Sequence, residues 1–253
     1  MIIKLYKILR NKKAMFLAYD QGLEHGPSDF NDKNVDPNYI IDIAEKGKYT
    51  GVIFQKGIAE KYHEKIKKSK VPLILKLNGK TNLMKGDPIS RQLCSVDEAI
   101  DLRAVAVGYT IYIGSKYERI MLREFEKIQR EAHKRGIPVI AWIYPRGSGV
   151  KGKSKAKLMA YAARTGLEIG ADIIKIVYHG SEKDLKWAVK SAGKAKVVVA
   201  GGSKKSEREL LKQVEDIRDS KCIGLAIGRN IWQNKDPMAI TKKIKKIIWK
   251  RGK

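Results

Sequence analysis

Acidic side chains are scarce in this chain. Its 253 residues carry 27 Asp and Glu against 53 Lys and Arg, a formal net charge of +26 at pH 7. That imbalance favours contact with anions, whether nucleic acid or phosphorylated metabolites. Most of the excess, however, is lysine spread along helical stretches such as residues 64–68 and 242–246. A solvated face, of the kind enriched in proteins from hot environments, accounts for such lysine without any partner. Cysteine is nearly absent: Cys94 and Cys222 stand in no metal-type or redox-type spacing and read as buried free thiols. Only four histidines are present. His63 and His133 fall in charged helical segments and are expected at the surface. That leaves His25 and His179 near strand ends, too few for a three-histidine metal centre. No apolar run is long enough to span a membrane. Residues 1–13 form a basic amphipathic stretch without an apolar signal core or a small-residue cleavage site, so the expected location is the cytoplasm. Domain linkers, low-complexity segments and short repeats are also missing, and residues 1–253 are expected to form a single domain.

What the chain does have is a regular alternation of apolar runs and helical stretches. Strand candidates are 14–20, 51–55, 72–77, 104–111, 138–143, 172–178, 196–200 and 223–227; helix candidates are 37–46, 59–68, 95–103, 116–135, 154–169, 182–192, 206–219 and 237–249. Strands that read as continuous apolar runs are buried on both faces of a parallel sheet. Eight of them close a barrel, so the expected fold is α/β, a (β/α)8 TIM barrel. The longest irregular stretches, 21–36, 78–93 and 145–153, all follow strands, which places them at the catalytic end of such a barrel.

Within the run Ala171-Asp172-Ile173-Ile174-Lys175-Ile176-Val177-Tyr178, Lys175 shares a strand face with Ile173 and Val177. A buried ammonium is costly, so such a lysine tends towards the neutral, nucleophilic amine. Two readings stand side by side: an imine-forming nucleophile, or a barrel lysine paired with a carboxylate such as Asp20. Lys76, in Leu73-Ile74-Leu75-Lys76, is a rival nucleophile or a cation that depresses its neighbour, and Lys56 follows another strand.

Other polar groups close the strands. Asp20 ends the first, with Glu24 and His25 in the loop behind it. Trp142 and Tyr144 share a face at the end of the fifth. Tyr144 is placed as a general acid or base, Trp142 as an apolar wall and Arg146, on the following loop, as a phosphate ligand. Ala200-Gly201-Gly202-Ser203-Lys204 follows the seventh strand and Gly228-Arg229 the eighth, where barrel enzymes often bind phosphate on backbone amides.

These segments together resemble the archaeal-type class I fructose-1,6-bisphosphate aldolases, the DhnA-type family. The matching stretches include 18–30 (AYDQGLEHGPSDF), 54–62 (FQKGIAEKY), 73–82 (LILKLNGKTN), 107–115 (VGYTIYIGS), 142–147 (WIYPRG), 171–176 (ADIIKI), 200–204 (AGGSK) and 227–233 (IGRNIWQ). The resemblance implies a Schiff-base lyase of glycolysis and gluconeogenesis that works without metal or cofactor. It also implies assembly into homo-oligomers, decamers in members of the family. It points to Lys175 as the imine former over Lys76, to Tyr144 as proton donor and acceptor, and to Asp20 as the strand-1 carboxylate. Trp142, Arg146, Gly201, Gly202, Gly228 and Arg229 match substrate and phosphate positions, and Gln21, Ala200 and Ser203 beside them are further substrate-binding candidates.

The chain departs from the family pattern at 177–180 (VYHG), at Ser203 where proline is frequent, at Arg103 where glycine is usual, and in the basic stretch 151–157. One alternative is a related Schiff-base aldolase, or a transaldolase-like enzyme, acting on another sugar phosphate. An alternative of another class is a basic nucleic-acid-binding protein, although the chain carries no recognised motif or aromatic-basic platform for it.

Overall fold

The computed structural model describes residues 3–250, so residues 1, 2 and 251–253 of the expected domain lie outside it. Eight parallel strands form a closed barrel: β1 (Ala14–Ala18), β2 (Gly51–Gln55), β3 (Leu73–Lys76), β4 (Ala106–Ile113), β5 (Val139–Pro145), β6 (Ile173–Val177), β7 (Lys196–Ala200) and β8 (Gly224–Ile227). Their order around the barrel follows the chain, with β1 pairing β8 to close it.

The period of two along each strand divides the side chains between two cores. Phe16, Ile53, Ile74, Ala106, Ile140, Trp142, Ile173, Val198 and Ala226 fill the interior. Alternate residues such as Leu17, Phe54, Leu75, Val107, Ile143 and Ile174 pack outward against the helices. Each fully buried aliphatic or aromatic side chain contributes about 1.5–3 kcal/mol. Ile8, fully buried with Leu5 and Leu9 packed beside it, joins the interior cluster from the amino-terminal segment.

The helices begin where side chains satisfy free amides. Asp36 caps Pro37–Lys46 and Asp236 caps Pro237–Ile248; Ser95 and Ser206 make reciprocal capping boxes with Glu98 and Glu209. Helix Glu118–Lys134 buries Met121, Phe125, Ile128 and Ala132, one stripe at helical spacing, and leaves its charged face outside.

Several details differ from the expectation. The helix expected over 59–68 is two helices, Lys56–Lys61 and His63–Ser69, with Tyr62 at φ −112° between them. The first starts three residues early, directly after β2. Strand β4 starts and ends two residues later than expected, and Arg103, three residues ahead of it, adopts φ +63°. The left-handed conformation at Arg103 is the physical reason glycine suits that position. The loops are not wholly irregular: 21–36 contains a turn of helix at Gly22–His25 and a 3-10 turn at Gly26–Asp29, and Asn78–Gly79 pairs with Arg91–Gln92. His133 is not a free surface residue. Its Nε2 lies 2.9 Å from Asp172 Oδ2, an oxygen that also accepts from the amide of Val139 at the start of β5.

Candidate active site

Counting in twos from the interior apolar residues carries each strand to its carboxyl end with a polar group still facing inward. Phe16 and Ala18 lead to Asp20, Ile74 to Lys76, Ile140 and Trp142 to Tyr144, and Ile173 to Lys175. These side chains meet in a cavity of about 260 Å³. Every residue singled out in the sequence as catalytic or substrate-binding lines it, from Asp20 and Gln21 through Trp142, Tyr144, Arg146 and Lys175 to residues 200–203, Gly228 and Arg229.

Lys175 is 6% exposed, and its Nζ lies 5.0 Å from the centroid of the Trp142 ring. Among the described residues it forms no ion pair. The carboxylate considered as its partner, Asp20, is 3.3 Å from Lys76 Nζ instead. The pairing reading of Lys175 is therefore corrected: β3 delivers the cation that neutralises Asp20. Burial is the main cause that brings the Lys175 ammonium down to about 8; Asp20 opposes the shift and Lys76 adds to it. At pH 7 about one such lysine in ten is neutral, against roughly three in ten thousand for an ordinary one. Burial alone would push the Asp20 carboxyl up, but the ammonium groups of Lys76 and Lys175 outweigh it and hold it below the usual carboxylate range.

Burial, followed by the negative charge of Asp20, raises the Tyr144 phenol well above its ordinary value, with Arg146 partly offsetting them. The resting site therefore holds Tyr144 protonated. Arg146 donates from Nη1 to Glu24 Oε1 at 3.0 Å, and its guanidinium carbon lies 5.6 Å from the ring centroids of both Tyr112 and Tyr144. Glu24 also accepts from the Tyr112 hydroxyl at 3.2 Å. Glu24 thus does more than order its loop, because it holds the Arg146 guanidinium that follows β5.

Across the cavity the glycine loop after β8 passes against β1, and the one after β7 against β8. A Cβ at Gly228 would lie 2.4 Å from the carbonyl oxygen of Ala18, so the backbone passes where only glycine fits. Gly228 leads into the short helix Arg229–Trp232, and Arg229 Nη1 lies 3.5 Å from Asp29 Oδ1. Among the described residues, the amides of Gly202, Ser203 and Arg229 have no intramolecular acceptor. Open amides beside an arginine suit an oxyanion.

Lys56 does not reach this cavity; it pairs with Glu98 outside the barrel. Asp29 had no signal in the sequence, since its reach to Arg229 is purely tertiary. No group of three or more His, Cys, Asp or Glu side chains among the described residues is arranged to hold a metal ion.

Residues 14–234 match the family described as DeoC/LacD family aldolase. A Thermoproteus tenax protein named fructose-bisphosphate aldolase class 1 is 47% identical over 243 residues, covering 95% of this chain and 91% of its own. A Halobacterium salinarum protein of the same name is 42% identical over 247 residues, covering 97% and 94%. A solved archaeal fructose-1,6-bisphosphate aldolase, with its catalytic lysine covalently bound to the carbinolamine intermediate, superposes with a TM-score of 0.92 at 45% identity, covering 97% of this chain and 98% of that one.

Proposed function

The chain belongs to the DeoC/LacD family of aldolases, and we propose that it is a class I fructose-1,6-bisphosphate aldolase, which reversibly cleaves the bisphosphate to dihydroxyacetone phosphate and glyceraldehyde 3-phosphate. The observation that carries this reading is the buried Lys175 on β6, without an ion pair among the described residues and facing a cavity with two glycine loops on its rim.

Neutral Lys175 attacks the ketone carbon of the open-chain sugar and forms a carbinolamine. Loss of water gives an iminium ion, which draws electron density as the bond between C3 and C4 breaks, and an enamine remains. Tyr144, protonated at rest, supplies and recovers the protons these steps exchange. Asp20, kept ionised by Lys76, stabilises the cationic iminium and holds the polar groups in place. The amides of Gly202 and Ser203, with Arg229, receive the ketose-end phosphate, and Arg146 receives the other. Anchoring both ends places the ketone carbon against the amine, which lowers the entropic part of the barrier.

On this reading the described chain serves as one catalytic domain, acts in the cytoplasm and works as a homo-oligomer. The last point is carried over from the resemblance to the archaeal-type aldolases. No helix among the described residues is long and apolar enough to cross a membrane.

Borohydride reduction in the presence of fructose 1,6-bisphosphate, with mass mapping of the labelled peptide, tests the assignment. An adduct at Lys175 is expected. An adduct at Lys76, or none, overturns it.

A further inference from the structure

Asn230 has no role in the chemistry described above, yet all the hydrogen-bonding atoms of its side chain point to one loop. It is 3% exposed, on the short helix Arg229–Trp232 that follows β8. Its Nδ2 donates to the carbonyl of Ser203 at 2.9 Å and to that of Gly201 at 3.2 Å, while its Oδ1 accepts from the amide of Lys205 at 2.8 Å. The helix that carries it is itself fixed, since Ile231 and Trp232 are buried and the Trp232 indole donates to the carbonyl of Ala18 at 3.1 Å. A second buried amide backs the same loop: Gln213, 2% exposed, donates to the carbonyl of Ala200 and accepts from the Lys205 ammonium at 2.6 Å.

We propose that Asn230 is a positioning residue for the phosphate cradle, tying the loop after β7 to the helix after β8 so that the amides of Gly202 and Ser203 stay open to an anion. The physical basis is the sign of the dipoles. By donating to the carbonyls of Gly201 and Ser203, the carboxamide engages two oxygens that would otherwise be free to turn towards the cavity and repel a phosphate. The amides that alternate with them are left without an intramolecular acceptor. The tie also couples the two glycine loops, so that the β7 amides and Arg229 reach a phosphate as one preformed site rather than two independent ones. This inference rests on the phosphate placement proposed above.

The test compares wild type with Asn230→Ala using three probes: borohydride trapping with dihydroxyacetone phosphate, trapping with phosphate-free dihydroxyacetone, and stabilisation against heat by inorganic phosphate. The substitution should raise the half-saturating concentration of dihydroxyacetone phosphate about tenfold or more, as expected for losing several buried hydrogen bonds. The phosphate needed for half-maximal stabilisation should rise similarly, while trapping with dihydroxyacetone stays within about twofold of wild type. Equal losses with both ketones would indicate general damage to the barrel and overturn the proposal, as would unchanged phosphate dependence. If wild type itself gives no adduct, the aldolase reading fails; the inorganic phosphate comparison still decides the role of Asn230, with equal affinity overturning it. Should Asn230→Ala not fold, Asn230→Ser, which keeps a hydroxyl at the position, is read by the same outcomes.

Discussion

Gly108 leaves the space in which Trp142 lies. A Cβ at Gly108 would fall 1.7 Å from one atom of the indole, so β4 must present a bare backbone for the ring on β5 to occupy the barrel interior. Lys175 Nζ then sits 5.0 Å from the centroid of that ring. Gly108→Ala should displace the indole, destabilise the protein by about 1–3 kcal/mol through overpacking, and lower the rate of imine trapping. Denaturant titration and single-turnover trapping measure the two effects; a variant with unaltered trapping would remove the indole from the wall of the site.

Lys175 supplies a pH test. Its folded value, about 8, lies below the 10.5 of an exposed lysine. Imine formation should therefore climb about tenfold per pH unit below 8 and level off above it. The stability consequence has the same origin. Below about 8 the amine is charged in both folded and unfolded chains, and burying that charge costs stability in full. Between about 8 and 10.5 the unfolded chain binds more protons, so stability rises with pH and the cost fades. Lys175→Met should abolish trapping yet be the more stable protein at pH 7, by up to roughly 3 kcal/mol, with the difference shrinking towards pH 10.5. Unfolding titrations at several pH values measure it, and a gap that widened with pH would contradict the burial argument.

Removing the neighbouring cation should move the same profile the other way. Lys76→Met leaves Asp20 with Lys175 as its remaining cation in the site, and loses an ammonium that helps to depress Lys175. The midpoint of imine formation should rise by about one pH unit or more, with the adduct still on Lys175. A midpoint that did not move would show that burial alone sets it.

Tyr144→Phe removes the phenol and keeps the ring that stacks beside Arg146. Trapping with fructose 1,6-bisphosphate should persist, while steady-state cleavage falls about 10²- to 10⁴-fold, the usual range for a lost acid–base group. Comparing the trapped fraction with turnover separates binding from proton transfer; unchanged turnover would remove Tyr144 from the reaction.

Arg103 carries a local strain unrelated to the site, with φ at +63°. Arg103→Gly should relieve it and raise stability by up to roughly 1 kcal/mol, the left-handed cost less the entropy of glycine. A thermal melt with activity unchanged would agree with that account, and a lower melting temperature would refute it.

Much of this was legible in the chain. Continuous apolar runs rich in β-branched residues gave the strand positions to within two residues throughout, β4 included, where the left-handed Arg103 carries no composition signal. Strand ends marked Asp20, Tyr144 and both glycine loops because polar residues that close buried strands must face an opening, and Lys175 stood out as a lysine in the middle of an apolar run. The break at Tyr62 and the grip of Asn230 on residues 201–205 left no such trace, since neither follows from spacing along one segment.

The order of residues determined by itself which side chains would lie inside the barrel, because alternation along a strand is a local property of the backbone. Who pairs with whom across that interior was decided only by closing the barrel. Asp20 took Lys76 rather than Lys175 because β3 and β6 approach β1 from different sides, and charges choose partners by distance in space. The lowered Lys175 ammonium is decided in the same way: burial first, and then the surrounding charges contributed by strands far apart in sequence, are properties of the assembled interior alone.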